Sequence, residues 1–303
     1  MSSRGFPTTL AAFRRVFPDD DACAAYLERL RWPAGFVCPK CKTPGEPWHL
    51  GARAGAIRCP SCRADISLTA GTVMHRTHVP LATWFSGAFL ITTTTETNAT
   101  QLQEKLQLTR YETAFQMRRK LRSGMARPDT TPLDSEHLVE VDTAPLGHPQ
   151  ARGKRRALYV IAALELRAPE DHPDAPRIPE YMTRAGRLRL DVLKDSKAAT
   201  RERFVRENVP VGCAVRPDED SRAPLVRTAL SNLTSWLLAT YGGTSLRRLH
   251  GLCNEYAFRF NRQLDPAAAF NVVLGLAPAK DNLWSTGRQR APAACPPLAM
   301  PFT

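Results

Sequence analysis

Four cysteines near the N-terminus form the strongest chemical pattern in the sequence. Cys38-Pro-Lys-Cys41 and Cys59-Pro-Ser-Cys62 are two Cys-x-x-Cys pairs separated by 17 residues. Each tight turn can aim two thiolates at one point, so the two pairs can surround a single tetrahedral zinc ion. Four protein ligands leave no open coordination position, and the pattern therefore predicts a structural zinc ion. Redox dithiols and an iron–sulfur cluster are the alternatives, and neither explains two such turns in a segment too small for its own core.

A basic helix is the second pattern. Asn98 with Gln101 matches a capping box at a helix start, and Thr109 with Glu112 matches another. The turn at 107–109 between them has the length found in a helix-turn-helix. The second helix suits the major groove of double-stranded DNA, and its basic side chains are expected to be exposed and to reach phosphates and guanine edges. A solvated charged helix is the alternative. The predicted DNA-binding residues are Arg110, Arg118, Arg119, Lys120 and Arg122.

Two aspartates form the third pattern. Asp142 ends an apolar strand, and Asp218 follows a short strand at 212–215. Carboxylates at the ends of neighbouring strands are what a two-metal phosphoryl-transfer site needs, because two Mg²⁺ ions require shared anionic ligands. Taken alone, each aspartate is better explained as a turn or cap residue.

The elements that must position these residues can be predicted from periodicity and capping. Asp19 to Asp21 favour a helix start, and Pro80 can begin another helix. In the C-terminal half, strands followed by alternating strand and helix predict an α/β layer fold. The predicted strands are 138–142, 158–165, 187–193 and 212–215, and the predicted helices are 197–208, 225–240 and 246–260.

These elements predict a multi-domain α+β protein. It combines a small zinc ribbon, a helical helix-turn-helix unit and an α/β domain. The predicted divisions are an N-terminal helix at 1–35, a zinc ribbon at 36–78, a helix-turn-helix at 79–126, an α/β domain at 136–265 with a loop insertion at 167–180, and a C-terminal tail at 266–303.

Composition restricts the partners. The net charge of +13 argues for a polyanionic partner, because neutralising phosphates releases counterions and supplies affinity for any sequence. No apolar run approaches the length of a membrane span, and no secretory signal is evident. A cytoplasmic, nucleoid-associated protein is therefore expected, with its 8 cysteines kept as thiols unless a metal binds them. Cys23, Cys213, Cys253 and Cys295 are isolated and are expected to be ordinary buried or tail residues.

The order of the motifs resembles bacterial insertion-sequence transposases that join an N-terminal zinc ribbon to an RNase H-like DDE domain of the ISXO2-like type. The resemblance spans roughly residues 16–265. Its matching stretches are CAAYLERLRWP at 23–33, the cysteine pairs, SLTAGT at 67–72, PLATWF at 80–85, VEVD at 139–142, the segment 212–218, SNLTSWLL at 231–238 and NEYAFRFNR at 254–262.

The resemblance implies DNA strand transfer with Mg²⁺ held at three positions, of which Asp142 matches the first and Asp218 the second. The chain departs from the family at the third. There the family has a ligand seven residues before a lysine, and this chain has Arg227 and Thr234. The family also has a further strand before this helix, and only 219–226 separate the equivalent points here, so the RNase H-like domain is expected to lack one strand.

An arginine at the third ligand position and the absence of one strand of the sheet should remove at least one metal site. The expected function is therefore that of a transposase-derived DNA-binding protein, acting on transposon ends, with impaired or absent strand transfer. Two alternatives stay open: an active transposase or nuclease that uses Glu219 or Asp220 as the substitute ligand, and a zinc-ribbon transcription regulator. A homo-oligomer is compatible with the sequence.

Overall fold

The computed structural model describes residues 6–51, 55–94, 97–127, 132–135, 137–146, 158–167, 184–216, 224–241, 246–263 and 265–276. Within these ranges the chain forms nine α-helices and seven strands. The expected loop insertion at 167–180 lies outside the described residues apart from Arg167, and so do Asp218, Glu219, Asp220 and Cys295.

The N-terminal part consists of two helices and a small sheet. Helix α1 spans Leu10–Val16, and α2 spans Asp20–Arg31. Asp19 caps α2 by accepting a hydrogen bond from the Ala22 backbone N–H at 2.8 Å, as the aspartate run predicts. Three short antiparallel strands follow in the order β1-β2-β3: Trp48–His49, Ala56–Arg58 and Asp65–Ser67.

Three helices form the next unit: α3 at Leu81–Thr93, α4 at Ala99–Leu106 and α5 at Tyr111–Met125. The predicted capping box of Asn98 and Gln101 is present at the start of α4. The one predicted at Thr109 and Glu112 is wrong, because α5 begins one residue later, with Arg110 as a cap that makes no side-chain hydrogen bond. The turn is longer than predicted because Gln107 takes a left-handed conformation (φ 55°) and the Leu108 N–H returns to the Gln103 carbonyl.

A single apolar core joins parts of the chain that the sequence divided into separate domains. Helices α1 to α5 and the small sheet all contribute to it. The segment expected to begin a tail instead forms helix α9 at Pro266–Val273, which packs against α3 and α5. Phe270 of α9 is 1% exposed and contacts several other aromatic rings. These parts share one core because of their small size: neither the ribbon nor the short helices could bury a sufficient core alone.

The larger sheet has four strands among the described residues, in the order β6-β5-β4-β7. They are β4 at Leu138–Leu146, β5 at Leu158–Leu166, β6 at Ala185–Leu193 and β7 at Val215–Arg216. The first three are antiparallel, and β7 is parallel to β4, with Val139 paired to Val215.

Helices cover both faces of this sheet. Phe204 of α6 (Ala198–Asn208) packs with Val139 and Val141 on one face. Helices α7 (Pro224–Tyr241) and α8 (Leu246–Arg262) cover the other face, against which Val160, Ala162 and Leu164 are buried. The predicted helices and the first three predicted strands of this part are present with small shifts at their ends, whereas the strand predicted at 212–215 is two residues long and begins only at Val215. Successive side chains of β4 point to opposite faces of the sheet. Because Val139 and Val141 lie on the face covered by α6, Glu140 and Asp142 lie on the face covered by α7.

Candidate functional site

The four predicted cysteines come together at the end of the small sheet. Their sulfur atoms all lie within 4.8 Å of one another, and the Cys38–Cys62 and Cys41–Cys59 sulfur pairs are each 3.7 Å apart. Zinc–sulfur bonds of about 2.3 Å in a tetrahedron place sulfurs about 3.8 Å apart. The cluster therefore fits a single zinc ion with four thiolate ligands, a structural site with no place for a substrate.

The two cysteine turns have the same backbone structure. The Cys38 N–H donates to the Thr43 carbonyl (3.1 Å) and the Cys59 N–H to the Ala64 carbonyl (3.0 Å). Lys42 (φ 63°) and Arg63 (φ 59°) take the left-handed conformation at equivalent places. That conformation costs a non-glycine residue about 1–2 kcal/mol, whereas binding of a structural zinc supplies on the order of 10 kcal/mol. Zinc can thus stabilise two turns that are strained without it.

Among the ligand cysteines, Cys41 differs electrostatically from the isolated cysteines. Hydrogen bonds from the side chain and backbone of Thr43 lower the pKa of Cys41 to about 6, which favours the thiolate that zinc binds. Burial raises the pKa of Cys23 to about 12, and it does the same for Cys253. Cys23 and Cys253 are buried and Cys213 is half-buried. These three behave as ordinary apolar side chains, as the sequence indicates.

Helix α2 holds the ribbon against the rest of the N-terminal part. The Arg31 guanidinium donates to the carbonyl oxygens of Ser67 and Ala70, at the end of the small sheet. The Asp20 carboxylate accepts a hydrogen bond from the Ala82 N–H at the start of α3, at 2.8 Å. The zinc ribbon is therefore tied through one helix to the three-helix unit that carries the basic residues.

Three of the five predicted DNA-binding side chains are exposed. Arg110 lies at the start of α5, and Arg119 and Lys120 lie further along it. The Lys120 ammonium sits 5.7 Å from the ring centre of Trp84, a cation–π contact that leaves the charge at the surface. These cations are placed where a phosphate backbone could reach them.

The other two, Arg118 and Arg122, are half-buried and make contacts within the protein, so the expected exposure is wrong for them. Arg118 donates to the Thr97 carbonyl at 2.7 Å. Arg122 forms an ion pair with Glu255 of α8, a side chain that is 4% exposed. Arg259 contacts the same carboxylate at 3.2 Å. The sequence could not reveal this network, because Glu255 lies 133 residues from Arg122.

The described part of the predicted carboxylate site contains an ion pair. Asp142 is 7% exposed, and its Oδ2 accepts a hydrogen bond from Arg227 Nε at 2.9 Å. Arg227 lies in the first turn of α7, and the hydroxyl of Thr234, two turns later, donates to the Ser231 carbonyl. A metal ion at Asp142 would have to displace the guanidinium from this oxygen.

Sequence reasoning missed Glu140, which lies beside Asp142 on the same face of β4. Glu140 is 1% exposed, and its Oε2 accepts a hydrogen bond from the Val226 N–H at the start of α7, at 3.1 Å. A carboxylate at a helix N-terminus is stabilised by the helix dipole. The signal available in the sequence was an acidic residue inside an apolar strand, Leu138-Val-Glu-Val-Asp142.

Comparison with known proteins identifies the N-terminal part. Residues 18–65 match the family model of the transposase zinc-ribbon domain. No curated protein and no solved structure matches the chain. No helix within the described ranges is long and apolar enough to cross a membrane. The match includes α2 and all four cysteines, and residues 18–65 are therefore a zinc ribbon of the kind found in insertion-sequence transposases.

Proposed function

We propose that this chain is a transposase-derived DNA-binding protein with impaired strand transfer. The observation that carries the proposal is the transposase zinc ribbon at 18–65, whose four cysteines fit one zinc ion. Zinc here has a structural role, and the transposon ends are the proposed DNA partner. Double-stranded DNA also agrees with the net charge of +13.

Helices α4 and α5 are proposed to act as a helix-turn-helix. They are joined by a four-residue turn, α3 packs against both, and Ala114, Met117 and Leu121 of α5 are buried beneath the exposed face. Such a unit places its second helix in the major groove. Arg110, Arg119 and Lys120 are the side chains proposed to contact the DNA, and Arg118 and Arg122 are assigned to holding α5 in place.

The impaired catalysis rests on the ion pair between Asp142 and Arg227. Mg²⁺ requires oxygen ligands at about 2.0–2.1 Å in octahedral geometry, and a guanidinium bonded to the Asp142 carboxylate competes for that oxygen. The relationship to RNase H-like domains is part of the proposal, and the strand order β6-β5-β4-β7 with a parallel fourth strand supports it. In such a domain Asp142 would be a metal ligand, and here it is neutralised by a side chain instead.

The test measures binding and cleavage on the same DNA. Zinc-loaded protein is mixed with labelled duplexes, including the inverted repeats that flank the gene where they are found, in Mg²⁺ or Mn²⁺. Bound duplex that is neither nicked nor joined is the expected result. Metal-dependent nicking that disappears in Asp142→Ala would contradict the impairment and establish an active enzyme. If Arg227→Glu nicks or joins the duplex and the wild type does not, the result would support loss of catalytic function at position 227.

A further inference from the structure

The exposed face of α5 carries side chains other than cations. Tyr111 is 46% exposed and Phe115 is 37% exposed, one helical turn apart, and their rings stack with centres 6.2 Å apart. Arg119 follows one turn later, and Gln116 is exposed beside Phe115. The buried residues Ala114, Met117 and Leu121 lie on the opposite side.

Gln116 and Arg119 are available to a partner. Neither side chain makes a hydrogen bond or ion pair with another residue in the described part of the chain. Arg118 and Arg122, in contrast, are engaged with Thr97 and Glu255. A charged helix face that contacts only water does not usually expose an aromatic pair beside an amide and a guanidinium that have no partner in the described part of the chain.

These side chains match the chemistry of base edges. A glutamine can bond to N6 and N7 of adenine, an arginine to O6 and N7 of guanine, and an aromatic ring can pack on the thymine methyl group. Phe115 and Gln116 lie in the first half of α5, which agrees with recognition helices contacting bases with their N-terminal residues, and Arg119 lies one turn beyond Phe115. The excess of positive charge favours DNA over a neutral protein as the occupant.

We infer that α5 reads sequence in the major groove, with Gln116 and Arg119 bonding to purines and Phe115 contacting a thymine methyl. Tyr111 stacks on Phe115 and holds its ring in place. The inference rests on the proposed DNA binding and goes beyond it, since phosphate contacts alone carry no sequence information.

The first experiment selects preferred duplexes from a random-sequence library with the zinc-loaded full chain. We expect a motif with one fixed A·T pair read by Gln116, one fixed G·C pair read by Arg119 and a fixed thymine beside Phe115. Gln116→Ala and Arg119→Ala should each relax the choice at one position, by about 5- to 150-fold in relative affinity. Arg206→Ala is the matched control, since Arg206 is an exposed arginine on α6, away from this face. It should leave the motif unchanged.

The second experiment replaces the selected thymine with uracil, which removes only the methyl group. Wild-type affinity should fall by about fourfold, the effect of one buried methyl group. The affinity of Phe115→Ala should not respond to the same replacement. Unchanged melting temperatures of these variants would show that each still folds.

Three results would overturn the inference. In the first, the protein binds duplexes without enriching any motif, which leaves the proposed DNA binding intact. In the second, the variants select the wild-type motif. In the third, Phe115→Ala changes the oligomeric state in light scattering and leaves the motif intact, which makes the face a contact between copies of the chain. Failure of the zinc-loaded protein to bind any duplex would instead refute the proposed function, and the inference with it.

Discussion

Arginines on α5 are expected to have different roles although they lie within a single turn. Arg122 contacts Glu255, whose side chain is 4% exposed, with its Nε 3.0 Å from Oε2. Arg119 is exposed. Arg122→Ala and Arg119→Ala remove the same side chain from the same helix, so comparing them separates a stabilising contact from a surface charge.

The expected cost of Arg122→Ala follows from the burial of its partner. Removing one member of a buried ion pair costs about 3–5 kcal/mol when the remaining charge has no other partner. Arg259 still contacts the Glu255 carboxylate, so we expect about 2–3 kcal/mol. At about 2–4 °C per kcal/mol for a protein of this size, the melting temperature should fall by about 4–12 °C. Arg119→Ala should change the unfolding free energy by no more than about 0.5 kcal/mol.

The assay is thermal unfolding of the zinc-loaded variants, together with duplex affinity measured against salt concentration. Arg119→Ala should lower the affinity for the preferred duplex by about 5- to 150-fold, and Arg122→Ala should leave that affinity unchanged below its melting temperature. Equal melting temperatures for the two variants, with the duplex affinity reduced only in Arg122→Ala, would refute the assignment of Arg122 to the interior network.

Three further predictions concern the zinc site, the buried thiols and a close helix contact. Purified protein should contain about one zinc per chain, and Cys59→Ser should lower that ratio while Cys213→Ser leaves it unchanged; elemental analysis gives the values, and a folded, metal-free wild type would contradict the site. Cys23 and Cys253 should resist iodoacetamide at pH 8 in the folded protein, as read by mass spectrometry. Rapid labelling at pH 8 would contradict the burial of these thiols. Since burial raises the pKa of each thiol to about 12 from an ordinary 9, the stability that the two buried thiols contribute should be lost as pH rises from 9 toward 12. Gly124→Ala should destabilise the protein by about 1–3 kcal/mol, because its new Cβ would lie 3.3 Å from the Val273 carbonyl oxygen. Gly251→Ala, where the nearest atom is at 3.8 Å, should be neutral or stabilising by up to about 1 kcal/mol; equal melting temperatures for these two variants would contradict the close packing of α5 and α9.

Local signals predicted most of the helices and strands. Asp19 and the Asn98–Gln101 capping box mark helix starts through hydrogen bonds three residues apart, and both are present. The strand at 138–142 and its neighbour at 158–165 follow from short, mainly apolar runs, and β4 begins at Leu138 as predicted. The cysteine cluster is predictable for the same reason, since each pair of ligands is set by one short turn.

Long-range contacts could not be predicted from the sequence. Helical periodicity identifies which side of α5 is apolar, but it does not show that Arg122 meets Glu255 on α8. The packing of the segment after residue 265 could not be predicted from the sequence either. Phe270 completes the N-terminal aromatic core, and the Tyr26 hydroxyl donates to Asn271 at 2.8 Å, a contact 245 residues apart in sequence.

The site at Asp142 could be predicted only in part. The resemblance to transposases indicates which residues to compare, and it places Arg227 where a metal ligand is expected. The contact itself depends on how α7 packs on β4, which brings the Arg227 guanidinium 2.9 Å from the Asp142 carboxylate. The burial of Glu140 depends on the same packing, because its partner is the backbone of Val226 at the start of α7.

The central claim is that this chain binds double-stranded DNA through a zinc-stabilised, positively charged surface. The most direct test is fluorescence anisotropy of a labelled duplex titrated with zinc-loaded protein at salt concentrations from about 50 to 200 mM, the range over which phosphate contacts weaken strongly. We expect saturable binding whose log affinity falls linearly with log salt, with a smaller slope for Arg110→Ala, Arg119→Ala and Lys120→Ala combined. No binding at about 50 mM salt, or an affinity that does not respond to salt, would contradict the central claim.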